Sequence, residues 1–186
     1  MSHGRRRIFG IGTDVAFIPR FQRTLERHGD RFLRRAFHPD EIRALASRPA
    51  TEHAAYLASR WAVKEAAYKA FQRYRVLFPE ISVGRQRPST PDDSRSLSLD
   101  ARLTREIKTS LSVATDVKAL ELRFSGETAA LATQLGIVEP LVTLSHDQDY
   151  ALAFVVLQQE LLTPEDSGLR ATERDSAPRS DHDRRA

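Results

Sequence analysis

The 186-residue chain contains no cysteine, which excludes disulfides, thiolate metal ligands and a cysteine nucleophile. Any metal must therefore be held by oxygen or imidazole. Long apolar runs are also absent: no stretch approaches the roughly 20 residues that cross a bilayer, so a soluble protein with no membrane partner is expected. Lysine is scarce, because of 29 basic residues only Lys64, Lys69, Lys108 and Lys118 are lysines. The positive charge is almost all guanidinium.

That charge is unevenly placed. Between Pro19 and Arg48 there are eight arginines against Glu26, Asp30, Asp40 and Glu41, so one short region carries an excess equal to the formal +4 of the whole chain. Such a region points to an anionic partner without saying which kind. No nucleic-acid motif accompanies it, and no nucleic-acid partner is expected. The length suits one domain. Residues 1–162 are expected to form it, with a polar, proline-rich and arginine-rich flexible insertion over 85–115. Thr163 to Ala186, with five arginines against six acids, is expected to be a disordered tail. Arg5-Arg6-Arg7 leaves too little room before Ile8 for a usual presequence and decides nothing about location.

Ile8 to Val15 reads as a buried strand that Gly10 and Gly12 open to another backbone or a ligand. Pro19 suits a helix start, and apolar positions from Phe21 to Phe37 suggest helix interrupted near His28-Gly29-Asp30. A further helix is expected from Pro39 to about Arg48, with Asp40 and Glu41 in its first turn. The clearest helix spans Glu52 to Gln72, alanine-rich and free of proline and glycine, with Leu57, Trp61, Glu65 and Tyr68 along one face. Later come a short strand at Ile81–Val83, a strand at Val117–Phe124 and a helix from Gly126 to Gly136. Strands at Leu141–Leu144 and Tyr150–Leu157 follow, joined by a turn from His146. Helices early and strands late give an α+β fold, helices packed on a small, mainly antiparallel sheet.

Several side chains could carry chemistry. Asp14, after Gly10-Ile11-Gly12-Thr13, either caps a helix or projects a carboxylate from a tight turn. Glu65 either pairs with Lys69 four residues on, or shares a divalent cation with Asp14 while Lys64 or Lys69 meets phosphate oxygens. Glu41 reads as a helix N-terminal acid and His146 as a turn residue.

Taken in order, these segments resemble the holo-acyl-carrier-protein synthases, the small 4'-phosphopantetheinyl transferases. The resemblance rests on Gly-Ile-Gly-Thr-Asp14 with Arg20 six residues on, Phe37 with Glu41, the block Arg60-Trp61-Ala62-Val63-Lys64-Glu65-Ala66 followed by Lys69-Ala70, and finally Leu135-Gly136 and Ser145-His146. It implies the phosphopantetheinyl transferase fold and transfer of the 4'-phosphopantetheine arm of coenzyme A to a serine of apo acyl carrier protein, in support of fatty acid biosynthesis. It further implies Mg2+ on Asp14 and Glu65, catalytic roles for Glu65, Glu41 and Lys69, and coenzyme A contacts from Arg60, Lys64, Lys69, His146 and Arg73. Glu41 would orient a metal-bound water, and Arg20, Arg31 and Arg35 would meet the carrier's acidic helix. The proton acceptor stays open between Glu65 and that water. Family members commonly form trimers, so a homotrimer is expected. Two departures stand out: Phe71-Gln72-Arg73-Tyr74-Arg75 replaces a glycine-rich loop, so arginine would take over backbone contacts to phosphate, and compact bacterial relatives lack the insertion. Both features look more like the fungal mitochondrial members, which makes the mitochondrion the expected compartment and the cytoplasm the alternative.

Overall fold

The structure is a computed structural model that describes residues 5–85 and 120–161. Apart from Arg85, the expected insertion over 85–115 and the expected tail over 163–186 lie outside the described residues, as does the start of the strand expected from Val117.

A three-stranded antiparallel sheet in the order β1-β5-β4 forms the base, where β1 is Arg5–Phe17, β4 Ile137–Asp147 and β5 Tyr150–Leu161. A smaller antiparallel pair joins β2, Ile81–Arg85, to β3, Leu120–Phe124. The helices are α1 (Ile18–Ala36), α2 (Pro39–Ala46), α3 (Ala50–Ala70) and α4 (Gly126–Gln134), and a single 3-10 turn covers Phe78–Glu80. The α+β class read from the sequence is the one observed. The break expected inside α1 is at Gly29, whose φ of 46° and ψ of −132° leave the helical region.

One hairpin departs from expectation. Strand β4 starts at Ile137 and runs past the expected Leu144, and an irregularity between Val138 and Leu141 holds Glu139 at a φ of 45°. His146 is therefore not in the turn: it is a strand residue opposite Ala151, and only Gln148 and Asp149 lie between β4 and β5. A two-residue link with Gln148 at a φ of 47° matches the twist of paired strands better than the longer turn would.

Helix α3 is buried nearly all round, including Leu57, Ala58, Ala62, Val63, Ala66, Ala67 and Ala70. It crosses the inner face of the sheet, and its alanines allow it to come very close to β1. A Cβ added at Gly10 would stand 2.0 Å from the Ala70 carbonyl oxygen, and one at Gly12 would stand 1.9 Å from that of Ala66. Of the two uses open to these glycines, the structure selects backbone against backbone.

The 3-10 turn anchors α4. The Glu80 carboxylate accepts from the Glu127 amide at 3.3 Å and the Thr128 amide at 2.7 Å, at the helix end where unpaired donors and the dipole favour an anion. The Thr128 side chain first, and then the Thr128 and Glu127 amides, hold its carboxyl below the usual glutamate range. Because the folded value is the lower one, this contribution is present above the ordinary glutamate range and is lost as pH falls through the depressed value. Glu80→Ala is expected to cost about 1 kcal/mol at neutral pH, as other lost N-terminal caps do. Thermal unfolding at several pH values checks it, since the gap from the unaltered protein should close in acid.

Candidate active site

Alternation along β1 turns Gly10, Gly12, Asp14 and Ala16 towards α3 and leaves Ile11, Val15 and Phe17 on the other face. Asp14 thereby meets the outward-leaning side of α3. Lys69 Nζ donates to Asp14 Oδ1 at 2.8 Å and to the Thr13 carbonyl at 2.8 Å. Glu65, one turn earlier on α3, is half-buried, and its carboxyl is pushed above the usual range first by burial and then by the charge of Asp14, with Lys69 and Arg20 pulling it back. Two carboxylates from distant parts of the chain thus share one electrostatic site with two cations. Arg20 is held there against the ring faces of Trp61, at 5.7 Å, and Phe21, at 5.6 Å.

Next to Glu65 opens a mostly apolar cavity of about 460 Å3, bounded by Phe32, Arg35, Ala36, Trp61 and Phe78. Phe78 packs edge-on against Trp61 with centroids 5.2 Å apart. Arg31 is exposed on the same helix as Arg20 and Arg35.

Arg60 faces a different hollow, a cavity of about 200 Å3 that Arg48, Tyr56 and Arg123 also line, together with the carboxylates of Asp40 and Glu41. Arg48 and Arg60 stack on Tyr56 at 4.5 and 4.4 Å, and the buried Nε of each has no hydrogen-bond partner among the described residues. Sequence reading missed Arg48 and Tyr56 here, although Tyr56 and Arg60 have the four-residue spacing of helix neighbours. His146, on the sheet face turned to α3, meets Ser59: Ser59 Oγ donates to the Ala55 carbonyl at 2.6 Å and so accepts from His146 Nε2 at 2.7 Å. With the hydroxyl proton so used, Nε2 is the ring nitrogen placed to donate. Arg73 lines a third hollow with Arg7, Phe9 and Gln72, beside the Tyr74 ring.

Two expected site residues are placed elsewhere. Lys64 has no solvent exposure and Glu41 has 3%, and the two form an ion pair at 2.8 Å. Glu41 Oε2 also accepts from the His38 amide, and Oε1 from the Val83 amide. Consecutive helix residues point about 100° apart, so Lys64 faces the core while Glu65 faces outwards. Neither the expected phosphate contact of Lys64 nor the expected water-orienting role of Glu41 fits these positions.

Asp14 is thus a residue within β1, neither a helix cap nor a carboxylate on a tight turn, and it shares one face with Glu65 and Lys69 of the alanine-rich α3. The profile of the 4'-phosphopantetheinyl transferase superfamily matches residues 10–155, and the chain belongs to that superfamily. Within it the chain belongs with the holo-acyl-carrier-protein synthases. The protein of that name from Halorhodospira halophila is 37% identical over 151 residues, covering 81% of this chain and 97% of its own, and that from Burkholderia ambifaria is 33% identical over 160 residues, covering 84% and 91%. The solved complex of the Chronobacterium ammoniagenes synthase with coenzyme A superposes with a TM-score of 0.56 at 29% identity, covering 82% of this chain and 98% of that one. The Neisseria meningitidis synthase, at 24% identity and a TM-score of 0.60 over 81% and 98% of the two chains, shares the fold.

Proposed function

We propose that this protein transfers the 4'-phosphopantetheine arm of coenzyme A to a serine of an apo acyl carrier protein, releasing adenosine 3',5'-bisphosphate and supplying holo carrier for fatty acid biosynthesis. The observation that carries the reading is the convergence of Asp14 and Glu65 beside Lys69 and Arg20. Incubating the protein with coenzyme A, magnesium and an apo carrier, then weighing the carrier, tests it. A carrier that gains one phosphopantetheine supports the enzyme, and an unchanged mass favours a module that only binds coenzyme A.

The donor set suits magnesium. Two carboxylates, one destabilised as an anion by burial and by the other, are oxygen ligands whose repulsion a hard cation relieves, and proteins commonly hold this ion with one or two carboxylates plus water and substrate phosphates. Asp14 and Glu65 would hold it, and when bound it neutralises charge on the pyrophosphate during transfer. Lys69 and Arg20 add fixed positive charge at the same place. Arg60, with Arg48 and Arg123, offers guanidinium groups to the phosphates at the far end of coenzyme A. The arginines of α1 face the acidic surface of the carrier.

In the reaction the serine oxygen forms a bond to the β-phosphorus while the bond to the departing nucleotide oxygen breaks, and the serine proton needs an acceptor. Glu65 fits that task better than Glu41, because it lies in the site beside the cavity whereas both Glu41 oxygens are engaged in the core. The acidic limb of rate against pH is therefore expected to persist in Glu41→Gln and to vanish in Glu65→Gln, measured on whatever activity each retains.

A homotrimer is part of the same reading. The face of the sheet turned away from α3 exposes Ile11, Val15, Leu141, Leu152 and Phe154, with relative exposures of 39 to 55%. So many exposed apolar side chains on one sheet face, with Thr13 and Thr143 beside Phe154 to interrupt them, suit burial against copies of the same chain. Val15→Glu with Leu152→Glu, which face one another across β1 and β5, is expected to give monomers by light scattering.

A further inference from the structure

The ion pair of Lys64 with Glu41 has no part in the chemistry above, yet burying a lysine completely is costly unless its charge and donors are satisfied. They are satisfied in a particular way. Lys64 Nζ donates to Glu41 Oε2 and to the Phe78 carbonyl, each at 2.8 Å, and to the Ile81 carbonyl, and it rests 5.7 Å from the Phe37 ring. The two carbonyls bracket the 3-10 turn Phe78–Glu80. An apolar side chain would fill the same volume without desolvating an ammonium, but it could not hold two carbonyls. What the turn presents is the Phe78 ring, packed on Trp61 at 5.2 Å and Tyr68 at 6.4 Å and forming one wall of the cavity beside Glu65 and Arg35.

We propose that Lys64 is a positioning residue: by gripping the carbonyls of Phe78 and Ile81 it sets the aromatic wall against which the carrier protein is received, and so governs carrier recognition rather than coenzyme A binding. This rests on the functional reading above, which puts the carrier on the α1 side and the coenzyme A phosphates in the arginine-lined hollow. Glu41 supplies the counter-charge that keeps the ammonium in place. Through the Val83 amide it also ties the middle of β2 to α2.

The deciding variant is Glu41→Gln with Lys64→Met, which leaves no charge buried alone but removes the grip on the turn, and it is read against Glu41→Gln alone because Glu41 also lines the arginine hollow. Steady-state transfer by the full-length protein, titrating apo carrier and coenzyme A separately, should show the carrier KM raised on the order of tenfold, the equivalent of about one charge-assisted hydrogen bond. The coenzyme A KM should stay within about twofold of the Glu41→Gln value, the scatter expected for uncoupled sites. Phe78→Ala alone should give the same split, and adding it to the double variant should raise the carrier KM no further. A merely stabilising role predicts that the double variant, once folded, behaves like the unaltered protein. An unchanged carrier KM, or a coenzyme A KM that rises in parallel, overturns the proposal, and if the double variant fails to fold the same two outcomes in Phe78→Ala decide it. Absence of transfer by the unaltered protein overturns the functional reading and this role together, whereas normal transfer with an unshifted carrier KM removes only the role of Lys64.

Discussion

Asp14→Ala is expected to lower transfer by about a thousandfold, the upper range for removing one preorganised electrostatic group from an active site. Two effects combine. Half of the carboxylate set that would hold magnesium disappears, and Lys69, freed from Asp14 Oδ1, can turn its ammonium towards Glu65 and compete for the remaining ligand. Stability should hardly change, because the lost ion pair has a Lys69 side chain 49% exposed, and pairs of that kind contribute about 0 to 1 kcal/mol. Turnover with saturating magnesium, beside a melting curve, is the measurement. Normal turnover would remove Asp14 from the site.

The second large effect is on folding. Lys64→Ala strands the Glu41 carboxylate in the core and leaves the Phe78 and Ile81 carbonyls without their donor. Breaking a buried pair by removing one partner costs about 3 to 5 kcal/mol. For a domain of this size that is a drop in melting temperature on the order of 10 °C. Burial already draws the Lys64 ammonium below its ordinary lysine range, with Glu41 opposing the shift. The loss should be smaller when Glu41→Gln accompanies the change, and differential scanning calorimetry on the single and double variants separates the two.

Much of the site could be read from sequence because its parts lie on regular elements. The long α3 placed Glu65 and Lys69 one turn apart, and the apolar β1 segment placed Asp14 beyond its glycines. That the two elements meet could not be derived from either alone and came from the ordered motifs of the family. Lys64 was misread because charge next to a candidate metal ligand suggests phosphate. Its spacing told otherwise: Leu57, Lys64 and Phe71 are seven residues apart, and all three are buried at 1% or less. The partner, Glu41, showed only as a helix-start acid, and its capping bond to the His38 amide bears that out without revealing the second bond. His146 was placed in a turn because Ser-His-Asp is polar, whereas pairing with β5 outweighs local preference in a hairpin.

The glycine and alanine seam between β1 and α3 fixes more than packing. Asp14 follows Gly12 by two residues and Glu65 precedes Ala66 by one, so each carboxylate is mounted beside the point where the two main chains touch. The spacing of their main chains is thus gauged by peptide atoms, which have no rotamers to sample, and only the torsions of the two acidic side chains are left to adjust. A side chain larger than hydrogen at Gly10 or Gly12 would therefore move both carboxylates apart at their roots, and tolerance to change should be sought anywhere but there.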